Sequence, residues 1–176
     1  MIEETALRGW KTAEISEQET LIVFYSRTGR TACTARRLAH EMENTSRLEI
    51  VPMAYRGTAR EYLHYLYCTL TRKEMEIDLY NVDFAKYDRI ILMIPVIFGR
   101  MSAPMRSFIL QEEGNLKNVE YIIIHKGLKA RHPGLVRWLD RHIGQKHLAC
   151  SSIWQQGKRE LHITYVDGES VLKQRK

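Results

Sequence analysis

Three short, uninterrupted apolar runs set the limits on what this chain can fold into: LIVFY at 21–25, IILMI at 90–94 and YIIIH at 121–125. Each is too short for a buried helix, and none alternates apolar with polar as a strand with one wet face does. Such runs suit strands buried on both faces, the situation of a parallel sheet covered by helices above and below. Between them lie segments whose apolar residues recur every three or four positions. Cys33, Ala35, Leu38, Ala39 and Met42 share one helical stripe, and residues 57–76 carry Tyr62, Tyr65, Leu66 and Leu70 on another. Pro104 opens a further helix at a place where its missing N–H costs little. Residues 133–143 put Leu135, Trp138 and Leu139 on one face, and strands are expected at 47–53 and 148–154. Strands alternating with helices predict parallel pairs joined by right-handed crossovers. The expected fold is α/β, a single domain over 20–176. Residues 1–19, polar with sparse apolar positions, read as an N-terminal extension.

Composition closes off several classes. The 176 residues are 44% apolar and 27% charged, enough to build a core without disulfides or metal. The longest apolar stretch, 90–98, is nine residues and contains Pro95, well short of the roughly 20 a membrane-spanning helix needs. The start, with Glu3 and Glu4, lacks the apolar core of a secretory signal. Cys33, Cys68 and Cys150 are scattered without CxxC spacing, which points to a reducing cytoplasm and away from a disulfide framework. The histidines form no HExxH or Cys/His cluster, so no metal site is expected. Charge is lopsided: residues 1–120 hold 16 basic and 17 acidic side chains, residues 121–176 hold 11 and 4. A basic last third fits an anionic ligand or an acidic partner as readily as a solvated face. Trp138 and Trp154 stand too isolated to make a nucleic-acid surface, so no nucleic-acid partner is expected.

In an open doubly wound sheet, a ligand sits outside the carboxyl ends of the strands, where the strand order reverses. Two loops leave such ends. Ser26, Arg27, Thr28, Gly29, Arg30 and Thr31 follow the first run and lead straight into a helix. Unpaired backbone N–H groups and the dipole at a helix start suit a phosphate. The hydroxyls add donors, and Gly29 lets the backbone come close to an oxygen. The same turn works equally as a hydroxyl-capped helix start with no ligand. It matches neither GxxxxGK[ST] nor GxGxxG, which disfavours an ATPase or dinucleotide site. Pro95, Val96, Ile97, Phe98, Gly99 and Arg100 form the second loop.

Two segments resemble the flavodoxins. LIVFYSRTGRTACTARRLA is similar to that family's opening strand, phosphate loop and first helix, whose loop runs roughly [ST]-x-T-G-x-[ST]. YDRIILMIPVIFGRMSAPMRSFI resembles its third strand and flavin-flanking loop, commonly P-x-aromatic-x-G before a proline-started helix. The likeness covers residues 21–125, and the aromatic-rich insertion at 55–76 is similar to one in longer single-domain relatives. It implies a flavodoxin-like doubly wound sheet of five parallel strands in the order 2-1-3-4-5, with helices on both faces and FMN at the switch between strands one and three. It further implies Ser26 to Thr31 around the FMN phosphate. Pro95 to Arg100 would then lie beside the isoalloxazine with Phe98 as its aromatic contact, and His125, Lys126 and Gly127 in the second flanking loop. The competing reading of Phe98 is a core residue beneath the loop.

The chain departs from the family in four places. Ile97 and Phe98 stand where flavodoxins often carry Trp or Tyr, Arg27 and Arg30 bracket a loop that is usually uncharged, and HKGLKARHPG replaces a glycine-rich loop after the fourth strand. Residues 159–176 do not read as the family's long closing helix, because LHITYV alternates like a strand and Asp167-Gly168 marks a turn. The closing helix is therefore expected to be short or altered, leaving a face that the extension or a homodimer partner could cover through Trp10 and Trp154. Family electron carriers are acidic, whereas Lys126 or Arg100 beside the ring would stabilise the reduced anion. The resemblance implies electron transfer, or an FMN-dependent oxidoreductase acting on a small acceptor, quinone-like or a tetrapyrrole, and drawing electrons from NAD(P)H or a redox protein. The flavin and no side chain would carry the chemistry. The alternative is a flavodoxin-like fold that has lost FMN and serves as a binding or regulatory module.

Overall fold

The computed structural model describes residues 19–53, 57–156 and 160–174. All but the last residue of the expected extension, with Trp10, lies outside them. The chain runs β1 (Thr20–Phe24), α1 (Arg30–Glu41), β2 (Thr45–Glu49), α2 (Ala59–Thr71), a 3-10 turn (Phe84–Lys86), β3 (Arg89–Ile97), β4 (Arg100–Met101), α3 (Ala103–Gln111), β5 (Val119–His125), α4 (Pro133–Ile143), β6 (Ala149–Gln156) and β7 (Glu160–Gly168). The sheet order is β2-β1-β3-β5-β6-β7, with β4 folded back on β3. The first five strands in that order are parallel neighbours, the arrangement expected from the sequence. β7 adds an antiparallel strand at the β6 edge.

Side chains alternate across a strand, so an uninterrupted apolar run feeds two cores at once. Leu21 and Val23 of β1, Ile90, Leu92 and Ile94 of β3, and Val119, Tyr121 and Ile123 of β5 pack toward α2, α3 and α4, meeting Tyr65, Met105, Phe108, Ile109, Leu139 and Ile143. Ile22, Phe24, Ile91, Met93, Ile122 and Ile124 face the other way, against Ala32, Ala35 and Leu38 of α1. Each fully buried Ile, Leu or Met contributes about 1.5–3 kcal/mol. A polar group at any of these positions would face a dry layer unless a buried partner met it, as Asp140 meets the Tyr121 hydroxyl, which is why the runs are almost wholly apolar.

Among the described residues, the second face has one helix where the first has three, and the turn at 171–174 covers part of the rest. Among the described residues no helix follows β6. The turn at 171–174 instead drops Val171 and Leu172 into the second core. Glu120, fully buried on β5, pins this tail: it pairs with the Arg89 guanidinium and accepts from Ser170 Oγ and, at 3.0 Å, from the Val171 amide. Ser151 and Ser170 hydroxyls meet at 2.5 Å beside it. Ile163 of β7 stays 45% exposed, so the cover thins toward that edge.

Two elements differ from the sequence expectation. β2 lies at Thr45–Glu49 rather than 47–53. As an edge strand it has a single ladder, and its span follows β1, from Thr20↔Thr45 to Phe24↔Glu49, rather than its own apolar pattern. The loop expected from Pro95 to Arg100 is a hairpin. β3 continues through Pro95 to Ile97, which pairs with Arg100 across the two-residue turn Phe98-Gly99. Both turn residues have positive φ, +49° and +74°, the requirement of a type I′ hairpin, whose twist matches that of the strands it joins.

Candidate functional site

The carboxyl ends of β1, β3 and β5 open on one cavity of about 530 Å3, inside the range of roughly 300–1,000 Å3 typical of small-molecule and cofactor sites. Its place follows from the topology, since the chain leaves β1 toward β2 on one side and β3 toward β5 on the other, so the two loops part there. Of the residues singled out in the sequence, Arg27, Thr28, Arg30, Thr31, Pro95, Val96, Ile97, Phe98, Gly99, His125, Lys126 and Gly127 line it. Ser26, Gly29 and Arg100 do not. Gly29 shapes the turn through its backbone. Arg100 sits on β4 near Arg106 of α3, whose pKa is lowered by burial first and by the Arg72 and Arg100 cations besides.

One corner is built for an anion. Gly29, at φ +76°, is the residue before α1 and offers no side-chain cap, and the first turn of α1 holds no acidic residue. At α2, by contrast, Thr58 Oγ1 accepts from the Glu61 amide at 3.3 Å and the Glu61 carboxylate accepts from the Thr58 amide at 3.0 Å. The first backbone bond of α1 runs from Cys33 N to Gly29 O, at 2.9 Å, so the amides of Arg30, Thr31 and Ala32 precede the helical ladder. The turn is held from β6: Gln155 Nε2 donates to Arg30 O at 3.4 Å and to Thr34 Oγ1 at 3.3 Å. Ser26 Oγ is buried here without a hydrogen-bond partner.

Arg27, Arg30, Lys126 and Lys129 line the cavity, and among the described residues no Asp or Glu does. Arg27 lies over the Tyr62 ring, 4.6 Å from its centre. Burial, and then Arg30 and Arg27, depress the Lys126 pKa. Cations that crowd one another with no counter-charge favour an incoming anion, and a bidentate guanidinium suits phosphate geometry.

The other end is apolar and open. Phe98 is 80% exposed, which removes its reading as a core residue. A non-glycine residue in the left-handed region costs about 1–2 kcal/mol, so the hairpin spends stability to present an aromatic ring at the cavity mouth. Tyr62 and Tyr65 of α2, stacked at 6.5 Å, and Tyr25, 5.7 Å from Tyr65, make a neighbouring wall. His125 is 3% exposed, and its Nδ1 donates to Gly127 O at 2.8 Å. The His132 ring stands 5.5 Å from it, and Nε2 of each is buried without a partner. Burial, then the adjacent His125, lowers the His132 pKa. Trp154 Nε1 ties the loop down by donating to Lys126 O at 3.0 Å.

Tyr25, Tyr62, Tyr65, Leu66, Leu128, Lys129, His132 and Gln155 also line the cavity, and the sequence does not place them at the site. The signals for some were visible: an aromatic stripe on the second helical segment, and a basic run after the fourth apolar strand. Neither says which wall it will form.

The protein defined by this sheet and crevice has the flavodoxin-like fold. Among solved structures it is similar to a flavoprotein from Lactobacillus acidophilus NCFM crystallised in complex with FMN, at 22% identity and a TM-score of 0.59 over 74% of this chain and 89% of that one. The apo-form of the flavoprotein from the same organism, solved by NMR, gives 21% and 0.58 over 74% and 87%. A chain from Bacteroides eggerthii DSM 20697, provisionally described as a flavoprotein, gives 16% and 0.58 over 80% and 86%. At these identities the likeness establishes the fold. No family model and no curated protein sequence matches the chain. Among the described residues, no helix is long and apolar enough to cross a membrane.

Proposed function

We propose that this chain binds FMN in the crevice and works in electron transfer, or as an FMN-dependent oxidoreductase acting on a small quinone-like or tetrapyrrole acceptor. One observation carries the reading. Among the described residues, one cavity combines a helix start without side-chain caps, four cations with no carboxylate, and an exposed aromatic on a strained hairpin. A structural neighbour crystallised with FMN supports it.

The chain's residues divide the work by chemistry. The amides of the first turn of α1, the Thr28 and Thr31 hydroxyls and the Arg27 and Arg30 guanidiniums suit the phosphate, and the buried Ser26 hydroxyl is a further donor at the same turn. Phe98, Val96, Ile97 and Tyr62 offer apolar surface to a flat ring, where each aromatic contact adds about 0.5–1.5 kcal/mol beyond its buried area. When bound, FMN supplies the redox chemistry, accepting and releasing electrons. Lys126, with no carboxylate opposite it, favours whichever state carries more negative charge, so the potential lies above that of an acidic carrier.

The test is a titration of the chromophore-free chain with FMN, followed by flavin fluorescence and absorbance. Stoichiometric quenching at micromolar concentration or below is expected. A chain that leaves micromolar FMN unquenched is a flavin-free binding module, and the redox reading falls.

A further inference from the structure

The segment between β5 and α4 carries features that FMN binding does not use. Val96 and His125 pair in the sheet, so the β3 hairpin and this segment leave neighbouring strand ends, and Phe98 and Leu128 line the same cavity. Leu128 is 99% exposed. The segment is nonetheless anchored: Lys126 O accepts from Trp154 Nε1, Gly127 O accepts from His125 Nδ1, and the Arg131 guanidinium lies 4.6 Å from the centre of the Tyr165 ring. Two large apolar side chains thus meet water at one cavity mouth, each on a backbone fixed by its own contacts.

Lys129 lines the cavity next to Leu128 and takes part in none of the ion pairs among the described residues. No carboxylate among the described residues lines this space, so an anion there meets attraction from Lys129 and Lys126 and no repulsion from the described wall. A cationic ring would meet four like charges. Burying an exposed leucine gains about 1.5–3 kcal/mol, and a ring against Phe98 gains more.

We propose that the cavity mouth binds a second ligand, a planar aromatic molecule bearing a carboxylate, with its ring against Leu128 and Phe98 and its anion at Lys129. This rests on the FMN reading only for its role: beside bound FMN, such a molecule is the small redox partner. Occupancy of the mouth is a separate claim that the chain alone can answer.

The test uses two isosteric probes, 2-naphthoate and the uncharged 2-naphthamide, titrated calorimetrically into the FMN-saturated protein. Naphthoate is expected to bind roughly tenfold more tightly, the scale of one charge-assisted contact. Lys129→Glu should remove that preference while naphthamide affinity stays, and Leu128→Ser should weaken both probes. Lys129→Gln, which removes the charge at an exposed position without reversing it, serves if the charge reversal disturbs folding. Equal affinity for the two probes, or a preference that survives both Lys129 variants, overturns the proposal. So does competition between naphthoate and FMN, which would place the probe in the flavin's own part of the cavity, at the phosphate corner or on the face of Phe98 that the flavin uses. If FMN fails to bind, the same titrations on the chain alone still decide the second site, so the two failures read separately.

Discussion

Replacing Arg30 with glutamine tests the anion corner most directly. Arg30 opens α1, is half-buried and lines the cavity, and its hydrogen-bonded carbonyl belongs to the backbone, so the substitution leaves the contacts from Thr34 and Gln155 in place. Arginine and glutamine have nearly the same helix propensity, so stability should move by no more than about 0.5 kcal/mol. A hydrogen bond to a charged partner is worth about 1.5–3 kcal/mol. Partial exposure pulls that toward about 1–2 kcal/mol, or roughly 5- to 30-fold in affinity. The contrast that isolates the cause is riboflavin, which has the same ring and no phosphate. Fluorescence titration should show FMN affinity falling by that factor and riboflavin affinity nearly unmoved, with an unchanged unfolding midpoint. Equal losses for both, or no loss for FMN, would refute the assignment of Arg30 to a phosphate.

Three further outcomes are expected. Phe98→Gly relieves the positive φ at an exposed site, so thermal unfolding should show stability unchanged or raised by up to about 1 kcal/mol, while FMN affinity falls; a destabilised variant would mean that the ring packs against the fold. Glu120→Gln leaves Arg89 without its buried partner and loosens the grip on Ser170 and Val171. It should cost about 3 kcal/mol in chemical denaturation and speed amide exchange at Val171, and a loss below about 1 kcal/mol would count against the pinned tail. For His132, burial lowers the folded-state pKa below the ordinary 6.5. Its contribution is therefore complete above that value and is lost as pH falls through the lowered one, because the unfolded chain takes up the proton first. Denaturation midpoints at about pH 7.5 and pH 5.5 should converge in His132→Asn relative to wild type, and an unchanged difference would clear His132 of the effect.

The parallel core was legible because its signal is local. A strand with two dry faces tolerates a polar side chain only where a buried partner meets it, as Arg89 meets Glu120, and the runs at 21–25, 90–94 and 121–125 are almost wholly apolar. α4 lies at Pro133–Ile143, the span its apolar stripe and leading proline predict. The strand-like alternation LHITYV lies within β7, and the long closing helix is absent among the described residues. β2 was misplaced because an edge strand's limits come from its neighbour. The type I′ hairpin was hidden because phenylalanine is an unusual choice for its first turn position; the apolar run up to Phe98 read as a strand followed by a loop. Trp10 and the proposed cover by the extension lie outside the described residues.

What the amino-acid order settled alone is the layered sheet, the glycine turn before the first helix, and the surplus of positive charge, all properties of neighbouring residues; that no side chain caps the helix start came from the structure. What the tertiary structure decided is which of those residues meet. Tyr62 reaches the crevice because α2 packs across the sheet, Gln155 because β6 lies beside β5, and Leu128 and Lys129 because the segment after β5 is tied to Trp154. Such meetings depend on pairings between distant parts of the chain. No local spacing records them, since the free energy that selects them comes from burial across layers and not from any one segment.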